Sequence, residues 1–501
     1  ELPSSIGHLS SLVELNLVKS SLKALPSSIG GLTSLVKLYL AGTEIEELPS
    51  SIGCLSSLVE LDLSQCPMLG SLPSSIGELK CLEKLYLCGL RRLKNLPSNI
   101  CELKHLQDLY LNHCTKLSRL PSLSGFGSLR DLVLSYTGII KIPGTLGYLS
   151  SLQVLLLEGN NFMRIPANIK QLWSLEILDI SYCKKLKSLP ELPCRLRVLI
   201  AHNCTSLKMV SSPFIHLQES QEQSPEDKFG FTFANCVNLE KNSCSYIVEN
   251  TLLKIQHLAI ALLQLSTGYE DILVSPVVCF PGNEIPELFR YQNTGASIIT
   301  LLPPNWCDTK LVGFTFCAVV ELENRHYQYG FSFQCNCRIE NECRDNLEFC
   351  SKHIAEWGDQ FEFKSDHVFL WNTSCIYIST EERYHRLREN SCTATFEFES
   401  YTEDEFKVML PGPNSFKIKK CGFKPFYAKE SEKIWDPSKD QARPSSSSYD
   451  PMEICLDFGE QVMEISKYKK RSIEEYCYNE TNCTGDGTEE EEKEPQNKKL
   501  K

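Results

Sequence analysis

The chain has 501 residues, with 51 Lys and Arg against 63 Asp and Glu, a net charge of −12 at neutral pH. That length exceeds one ordinary core and implies two or three units, while the acidic balance argues against a general nucleic-acid binder, which would carry a basic face. Its 24 cysteines are scattered rather than set at disulfide-framework spacings, which reads as a reducing compartment with most thiols acting as small buried hydrophobes.

The opening, Glu1-Leu2-Pro3-Ser4-Ser5-Ile6-Gly7, reads as the middle of a repeat, and no charged start with an apolar core marks a signal peptide. One phrase then recurs nine times between Leu12 and Ala201, as in Leu35-Val36-Lys37-Leu38-Tyr39-Leu40. Its second leucine falls at Leu15, Leu38, Leu61, Leu85, Leu109, Leu132, Leu155, Leu178 and Leu199. Steps of 23 or 24 residues, shortening to 21 at the end, are those of a leucine-rich repeat. The expected fold is an α/β solenoid, a parallel β horseshoe, over residues 1–209. Each repeat buries its apolar face on its neighbours, so Leu2, Ile6, Leu9, Leu12, Leu15 and Leu17 are expected to face water at the open end. We therefore expect the chain to be the C-terminal portion of something larger.

Each Leu-x-Leu is a short strand, with leucines inward and the intervening residue on the concave surface. That series is Asn16, Tyr39, Asp62, Tyr86, Tyr110, Val133, Leu156, Asp179 and Ile200, flanked by Lys37, Glu60, Lys84, Asp108, Asp131, His113, Tyr136 and Tyr182. Nine strands at about 4.8 Å each span roughly 40 Å, room for a protein ligand. The expected partner-binding residues are Tyr39, Asp62, Tyr86, Asp108, Tyr110, His113, Asp131, Tyr136, Asp179 and Tyr182. Tyrosine is a common interface anchor, although β propensity alone also places it on strands. A second series, Ser20, Thr43, Cys66, Leu90, Cys114, Thr137, Asn160, Cys183 and Cys204, occupies the turn after each strand. Small polar groups there satisfy backbone, which explains these cysteines without a metal.

Residues 210–228 are polar and read as a linker. Phe229 to Cys236 looks like a strand, and Ser245 to Leu265 has helical periodicity. The apolar stretch from Thr251 to Leu265 is broken by Lys254, Gln256, His257 and Gln264, so it falls short of a membrane span. Beyond Val274 come short alternating runs: Leu311 to Val320, Tyr329 to Gln334, Val368 to Trp371, Cys375 to Ser379, Thr393 to Phe398 and Phe416 to Lys420. Many short strands between turn signals indicate an antiparallel sandwich over residues 229–430. Asn336 to Asp359 is polar and weakly periodic, and reads as an adaptable binding loop. Residues 431–501 hold 17 acidic and 11 basic side chains with few aromatics, the composition of a disordered acidic tail. Within it, Lys467-Tyr468-Lys469-Lys470-Arg471 is either a nuclear-import signal or a solvated basic cluster.

Several motifs carry no chemistry. Cys335-x-Cys337 with Cys343, Cys350 and His353 has zinc-site composition but the wrong spacing, and two residues apart on a strand share one side. Asp457-Phe458-Gly459 lacks the other kinase motifs. Asn203, Asn372, Asn479 and Asn482 head glycosylation tripeptides of a kind that arise by chance. We expect no catalytic residue, metal or cofactor.

The Leu-Pro-Ser-Ser-Ile-Gly segments, the Cys or Thr ladder and Leu-Lys-Ser-Leu-Pro (Leu186 to Pro190) resemble the repeats of plant intracellular nucleotide-binding, leucine-rich-repeat immune receptors of the TIR-containing class. Four later phrases resemble the C-terminal jelly-roll/Ig-like domain of the same receptors: Phe233 to Leu239, Phe280 to Pro286, Ser365 to Trp371 and Lys419 to Gly422. The resemblance covers about 430 residues. It implies that repeats and jelly roll jointly grasp a pathogen effector protein, and that the repeats hold a nucleotide-switch module inactive. It further implies a cytoplasmic placement, with a nuclear one open through the basic run. The family's phosphate loop and NAD-cleaving TIR region have no counterpart in this sequence, so enzymatic activity and oligomerisation would belong to upstream modules. The rival reading is a stand-alone truncated decoy or adaptor.

Overall fold

The computed structural model describes residues 2–211, 230–264, 277–306, 311–321, 326–327, 331–355, 361–373, 387, 389–403, 409–410 and 416–427. The expected tail (431–501), the run Cys375 to Ser379 and most of the expected linker lie outside them. The repeats give short parallel strands: β1 (Glu14–Asn16), β2 (Lys37–Tyr39), β3 (Glu60–Asp62), β4 (Lys84–Tyr86), β5 (Asp108–Tyr110) and β6 (Asp131–Val133). They continue with β7 (Val154–Leu156), β8 (Ile177–Asp179), β9 (Ser188–Leu189), β10 (Val198–Ile200) and β11 (Met209–Val210). In the main sheet the repeat leucines align one to one, Leu38 with Leu61 and Leu61 with Leu85, so the 23–24-residue period is the register of the sheet.

Local chemistry explains each repeat. In Leu-Pro-Ser-Ser-Ile-Gly the ring of Pro49 fixes φ at −67°, and with ψ at 149° the chain enters the 3-10 turn Ser50–Cys54 extended. Ile52 then points inward and is fully buried. Gly53 follows because neighbouring turns stack closely: a Cβ there would meet the Ser75 carbonyl at 2.6 Å. Inward leucines and isoleucines form one continuous core, each contributing about 1.5–3 kcal/mol. At the first repeat Leu9, Val13 and Val18 are 51%, 55% and 41% exposed.

The second half comprises β12 (Gly230–Thr232), helix α1 (Lys241–Gln264), β13 (Val277–Pro281), β14 (Tyr291–Thr294), β15 (Ser297–Leu302) and β16 (Leu311–Glu321). Then follow β17 (His326–Tyr327), β18 (Phe331–Asn341), β19 (Asn346–Ala355), β20 (Phe361–Glu362), β21 (His367–Asn372), β22 (Cys392–Glu403), β23 (Met409–Leu410) and β24 (Lys417–Tyr427). One sandwich layer runs β13-β21-β16-β24-β14, and the facing layer runs β15-β22-β18-β19 with β23 on β22. Aromatic residues fill the space between them. Phe396 and Phe423, from opposite layers, stack at 4.0 Å, and Phe333, Phe316 and Phe398 surround Trp371.

Two expectations are corrected here. The boundary at 229 is displaced, because β12 joins β10 in parallel with Phe231 opposite Leu199, making residues 230–239 a tenth solenoid unit. Asn336 to Asp359 is mostly not a loop: β18 and β19 pair from Phe331 to Ala355. Cys335, Cys337 and Ile339 turn into the core while Arg338 and Glu340 stay outside, so polar residues on one face hid the alternation.

The solenoid and sandwich share a sheet. β12 pairs β13 in parallel, and β13 pairs β21 antiparallel, giving one 15-stranded sheet from β1 to β14. The four later phrases on which the resemblance rests meet at this seam. Asn235, buried at φ 59°, uses its side chain to donate to Asn203 Oδ1 (3.1 Å) and the Glu362 carbonyl (2.6 Å), and accepts from the Lys364 N–H (2.9 Å). Its own N–H donates to His367 Nε2 at 2.9 Å, so the ring proton sits on Nδ1, facing the Ser365 carbonyl at 2.8 Å. Burial holds that imidazole down to about 4, keeping it neutral. Nearby, Lys419 bridges Asp366 (3.0 Å) and Glu321 (3.5 Å), and Lys420 reaches Glu284 at 2.5 Å. The phrase Phe280 to Pro286 thus shapes the seam through backbone and charge pairing, its Gly282 N–H donating to the Asp366 carbonyl.

Candidate partner-binding surface

Three rows of side chains line the strand faces and the turns that follow. The first row, one residue before each inward leucine, reads Glu14, Lys37, Glu60, Lys84, Asp108, Asp131, Val154, Ile177 and Val198. The second, one residue after, holds five of the ten expected residues, Tyr39, Asp62, Tyr86, Tyr110 and Asp179, while Asp108 and Asp131 lie in the first. Lys37 is exposed and Tyr39 half-buried. Burial and then the Glu60 carboxylate raise the Tyr39 hydroxyl to about 12. Tyr86 and Tyr110 stack with parallel rings at 5.1 Å, and Tyr110 donates to Asp131 at 3.3 Å. Asp108 and Asp131 are direct cross-strand partners. Burial pushes Asp131 up to about 6, with the Asp108 carboxylate adding to it. Burial also raises Asp108, opposed by Lys84 at 3.9 Å.

Asp62 and Asp179 depart from expectation. They are 4% and 0% exposed, and each accepts from the N–H two residues on, Ser64 at 2.8 Å and Ser181 at 2.9 Å. These are Asx-type turns, in which the short carboxylate closes the chain behind the strand. Tyr86 too is buried, at 7% exposure, beneath its stacking partner. These three residues organise the face instead of lying open on it.

A third row was read in the sequence only at His113, Tyr136 and Tyr182, and its common backbone geometry was not. Four residues after each inward leucine the backbone turns left-handed: Lys19, Gly42, Gln65, Gly89, His113, Tyr136, Gly159, Tyr182, Asn203 and Asn235 all have positive φ. Left-handed backbone costs an ordinary residue about 1–2 kcal/mol, so the glycines mark the positions where it is free. At Gly159 a Cβ would meet the Tyr136 ring at 2.5 Å, so that ring lies flat over the glycine, with its hydroxyl donating to Glu158 at 2.9 Å. His113 stacks on Tyr136 at 5.2 Å. Tyr136 is 38% exposed, while His113 and Tyr182 are half-buried. The recurring glycine at a fixed offset was the available signal.

The face changes character at β6. Val133, Val154 and Leu156 form an apolar cluster separate from the leucine core, joined by Tyr110 and Ile177. The polar half thus carries Lys37, Tyr39, Glu60, Lys84, Asp108 and Asp131, and the apolar half adjoins the seam.

Behind the strands, the ladder residues bond backbone across repeats. Cys66 donates to the Leu40 carbonyl at 3.2 Å, Cys114 to Leu87 at 3.1 Å, Cys183 to Leu157 at 3.3 Å and Cys204 to Ile180 at 3.0 Å. Asn160 spans two carbonyls, Leu134 at 2.8 Å and Leu157 at 2.9 Å. Cys236 extends the ladder to the tenth unit through Ala201 at 2.8 Å. Burial pushes the Cys114 thiol up to about 12 and raises Cys183 as well. Cys335 and Cys337 lie 3.7 Å apart inside the sandwich core. Asn203 and Asn372 are buried, closed to glycosylation.

Two family models match this chain: leucine-rich repeats of the type named for "Disease resistance protein RPS4B-like" over residues 67–224, and the C-JID domain over residues 280–432. The chain carries the leucine-rich-repeat and C-JID region of a plant TIR-type disease resistance protein. Among curated relatives it is similar to disease resistance protein RPS4 of Arabidopsis thaliana, 31% identical over 266 residues, covering 51% of this chain and 20% of the relative. It is similar to disease resistance protein RPP2B of the same plant, 33% identical over 322 residues, covering 61% and 26%. The chain thus spans about a fifth to a quarter of those proteins. A solved leucine-rich-repeat protein of Leptospira interrogans matches at 26% identity and TM-score 0.35, over 42% of this chain and 69% of that one. Repeats of the resistance-protein type generally mediate protein–protein interaction, and neither matched domain is catalytic.

Proposed function

We propose that this immune-receptor region recognises a pathogen effector protein through the polar half of the concave face together with the C-JID sandwich. In a whole receptor it would also hold a nucleotide-switch module inactive, and upstream modules would supply enzymatic activity and oligomerisation. The observation that carries this reading is the unbroken sheet from β1 to β14, which makes the repeat face and the sandwich one body. A ligand touching both loads that body as a unit. Recognition acts by differential binding, since an effector shifts a two-state equilibrium only by its preference for the active state. Swinging that equilibrium from 1:99 to 99:1 takes about 5.5 kcal/mol, within reach of three anchors at about 2 kcal/mol each. The test is effector-triggered cell death in leaf tissue expressing the whole receptor. Replacing Tyr39, Asp108 and Tyr136 together with alanine abolishes cell death without lowering protein abundance. Retained cell death at normal abundance sinks the face assignment.

A further inference from the structure

After the turn that ends each strand, the chain runs along one flank of the solenoid before the next Leu-Pro segment, and on this flank charge is sorted. The early turn 44–47 carries Glu44, Glu46 and Glu47. The later turns 91–95, 115–119, 138–141, 161–164, 184–188 and 205–209 together carry eleven lysines and arginines and no carboxylate. All eleven are exposed. The run ends at Glu240, whose N–H donates to the Lys208 carbonyl at 3.0 Å. In a chain of net charge −12 this is a segregated cationic stripe. Backbone bonds tie its turns edge to edge: Ile140 N–H to the Ser118 carbonyl at 3.4 Å, Lys187 to Met163 at 3.2 Å and Lys208 to Lys187 at 3.0 Å. Six turns at about 4.8 Å each make the stripe roughly 25 Å long.

The stripe also carries open aliphatic side chains. Ile140, Met163 and Met209 are 55%, 48% and 53% exposed, and each adjoins a cation of the stripe, Lys141, Arg164 and Lys208. The one aromatic residue in these turns, Phe162, is fully buried. That composition separates two kinds of polyanion. Single-stranded nucleic acid is held by cations together with exposed aromatic rings on which bases stack. An anionic bilayer is held by cations at the headgroups together with apolar side chains that enter the boundary with the acyl chains.

We propose that this flank is a peripheral docking surface for an anionic lipid bilayer. The lysines and arginines meet headgroup phosphates and carboxylates, and Ile140, Met163 and Met209 enter the boundary beneath them. The strand face lies on the other side of the turn, so it stays open to a protein ligand. This goes beyond effector recognition and holds whether or not any effector binds.

The test is flotation of the full 501-residue chain with phosphatidylcholine vesicles, with or without about one quarter phosphatidylserine. The chain should bind only where phosphatidylserine is present, and less as salt is raised. K141E/R164E/K187E should weaken binding about a hundredfold, at about fivefold for each cation removed. I140S/M163S should weaken it about tenfold, through lost insertion. K80E/K104E/K170E makes the same charge change on or beside the 3-10 turns that precede the strands, and should stay within about threefold of the unaltered chain. Thermal unfolding should be the same for all of these chains, because every substituted side chain is exposed. Equal binding with and without phosphatidylserine overturns the proposal, as does K141E/R164E/K187E binding like the unaltered chain or K80E/K104E/K170E losing as much. So does a single-stranded oligonucleotide bound more tightly than the vesicles with I140S/M163S unaffected, which would make the ligand a nucleic acid.

Discussion

Replacing Asn235 with alanine tests whether the seam joins solenoid and sandwich energetically. The side chain makes three hydrogen bonds, to Asn203, Glu362 and Lys364, each worth about 1 kcal/mol net. Alanine also loses asparagine's tolerance of the left-handed φ of 59°, about 1 kcal/mol more. The expected cost is therefore about 4 kcal/mol. Asn235→Gly, which frees φ but loses the same bonds, separates the two parts and should cost roughly 3 kcal/mol. The assay is urea unfolding followed by far-ultraviolet circular dichroism and tryptophan fluorescence. Asn235→Ala should lower the midpoint and pull the two signals apart as solenoid and sandwich uncouple. A midpoint within about 0.5 kcal/mol of the unaltered chain would refute the reasoning, because surface substitutions alone reach that level.

The remaining expectations concern protons and thiols. His367 has its folded value depressed to about 4 from 6.5, so its contribution is present above 6.5 and lost as pH falls through 4. The loss reaches about 3 kcal/mol, measured as thermal stability between pH 7 and pH 4, and His367→Phe should flatten that dependence. Asp131 runs the other way: its value is raised to about 6, so its contribution is full below about 4 and lost as pH rises through 6. Asp131→Asn should remove that fall between pH 4 and pH 6. Under native labelling with a thiol reagent at neutral pH, the exposed Cys54, Cys81 and Cys343 should react first, with Cys66, Cys114, Cys183, Cys204 and Cys236 protected. Equal labelling across both groups, read by mass spectrometry, would contradict the ladder bonding.

The period was enough to place β1 to β8 and β10, because every inward leucine recurs at a fixed step and the solenoid turns that step into register. The tenth unit escaped it for a physical reason. Phe231 and Phe233 replace leucines, and the step from Leu199 to Phe231 is 32 residues, so pattern and spacing fail together. Alternation correctly put Asp62 and Asp179 on the strand-face side but could not show their carboxylates folding back to Ser64 and Ser181, a choice made by turn geometry. The apolar half of the face was present in the sequence as Val133, Val154 and Leu156. A reading that weighs residues one strand at a time does not register that they sit side by side. The immune-receptor phrases were visible as words, and their meeting at Asn235 and His367 required the fold.

The most direct test of effector recognition is hydroxyl-radical footprinting of this chain, alone and bound to a pathogen protein that triggers cell death through the whole receptor. The account predicts protection of Tyr39, Tyr110 and Tyr136 together with sandwich residues in the same complex. Protection confined to the convex surface, with those tyrosines as reactive as in the free chain, would contradict it.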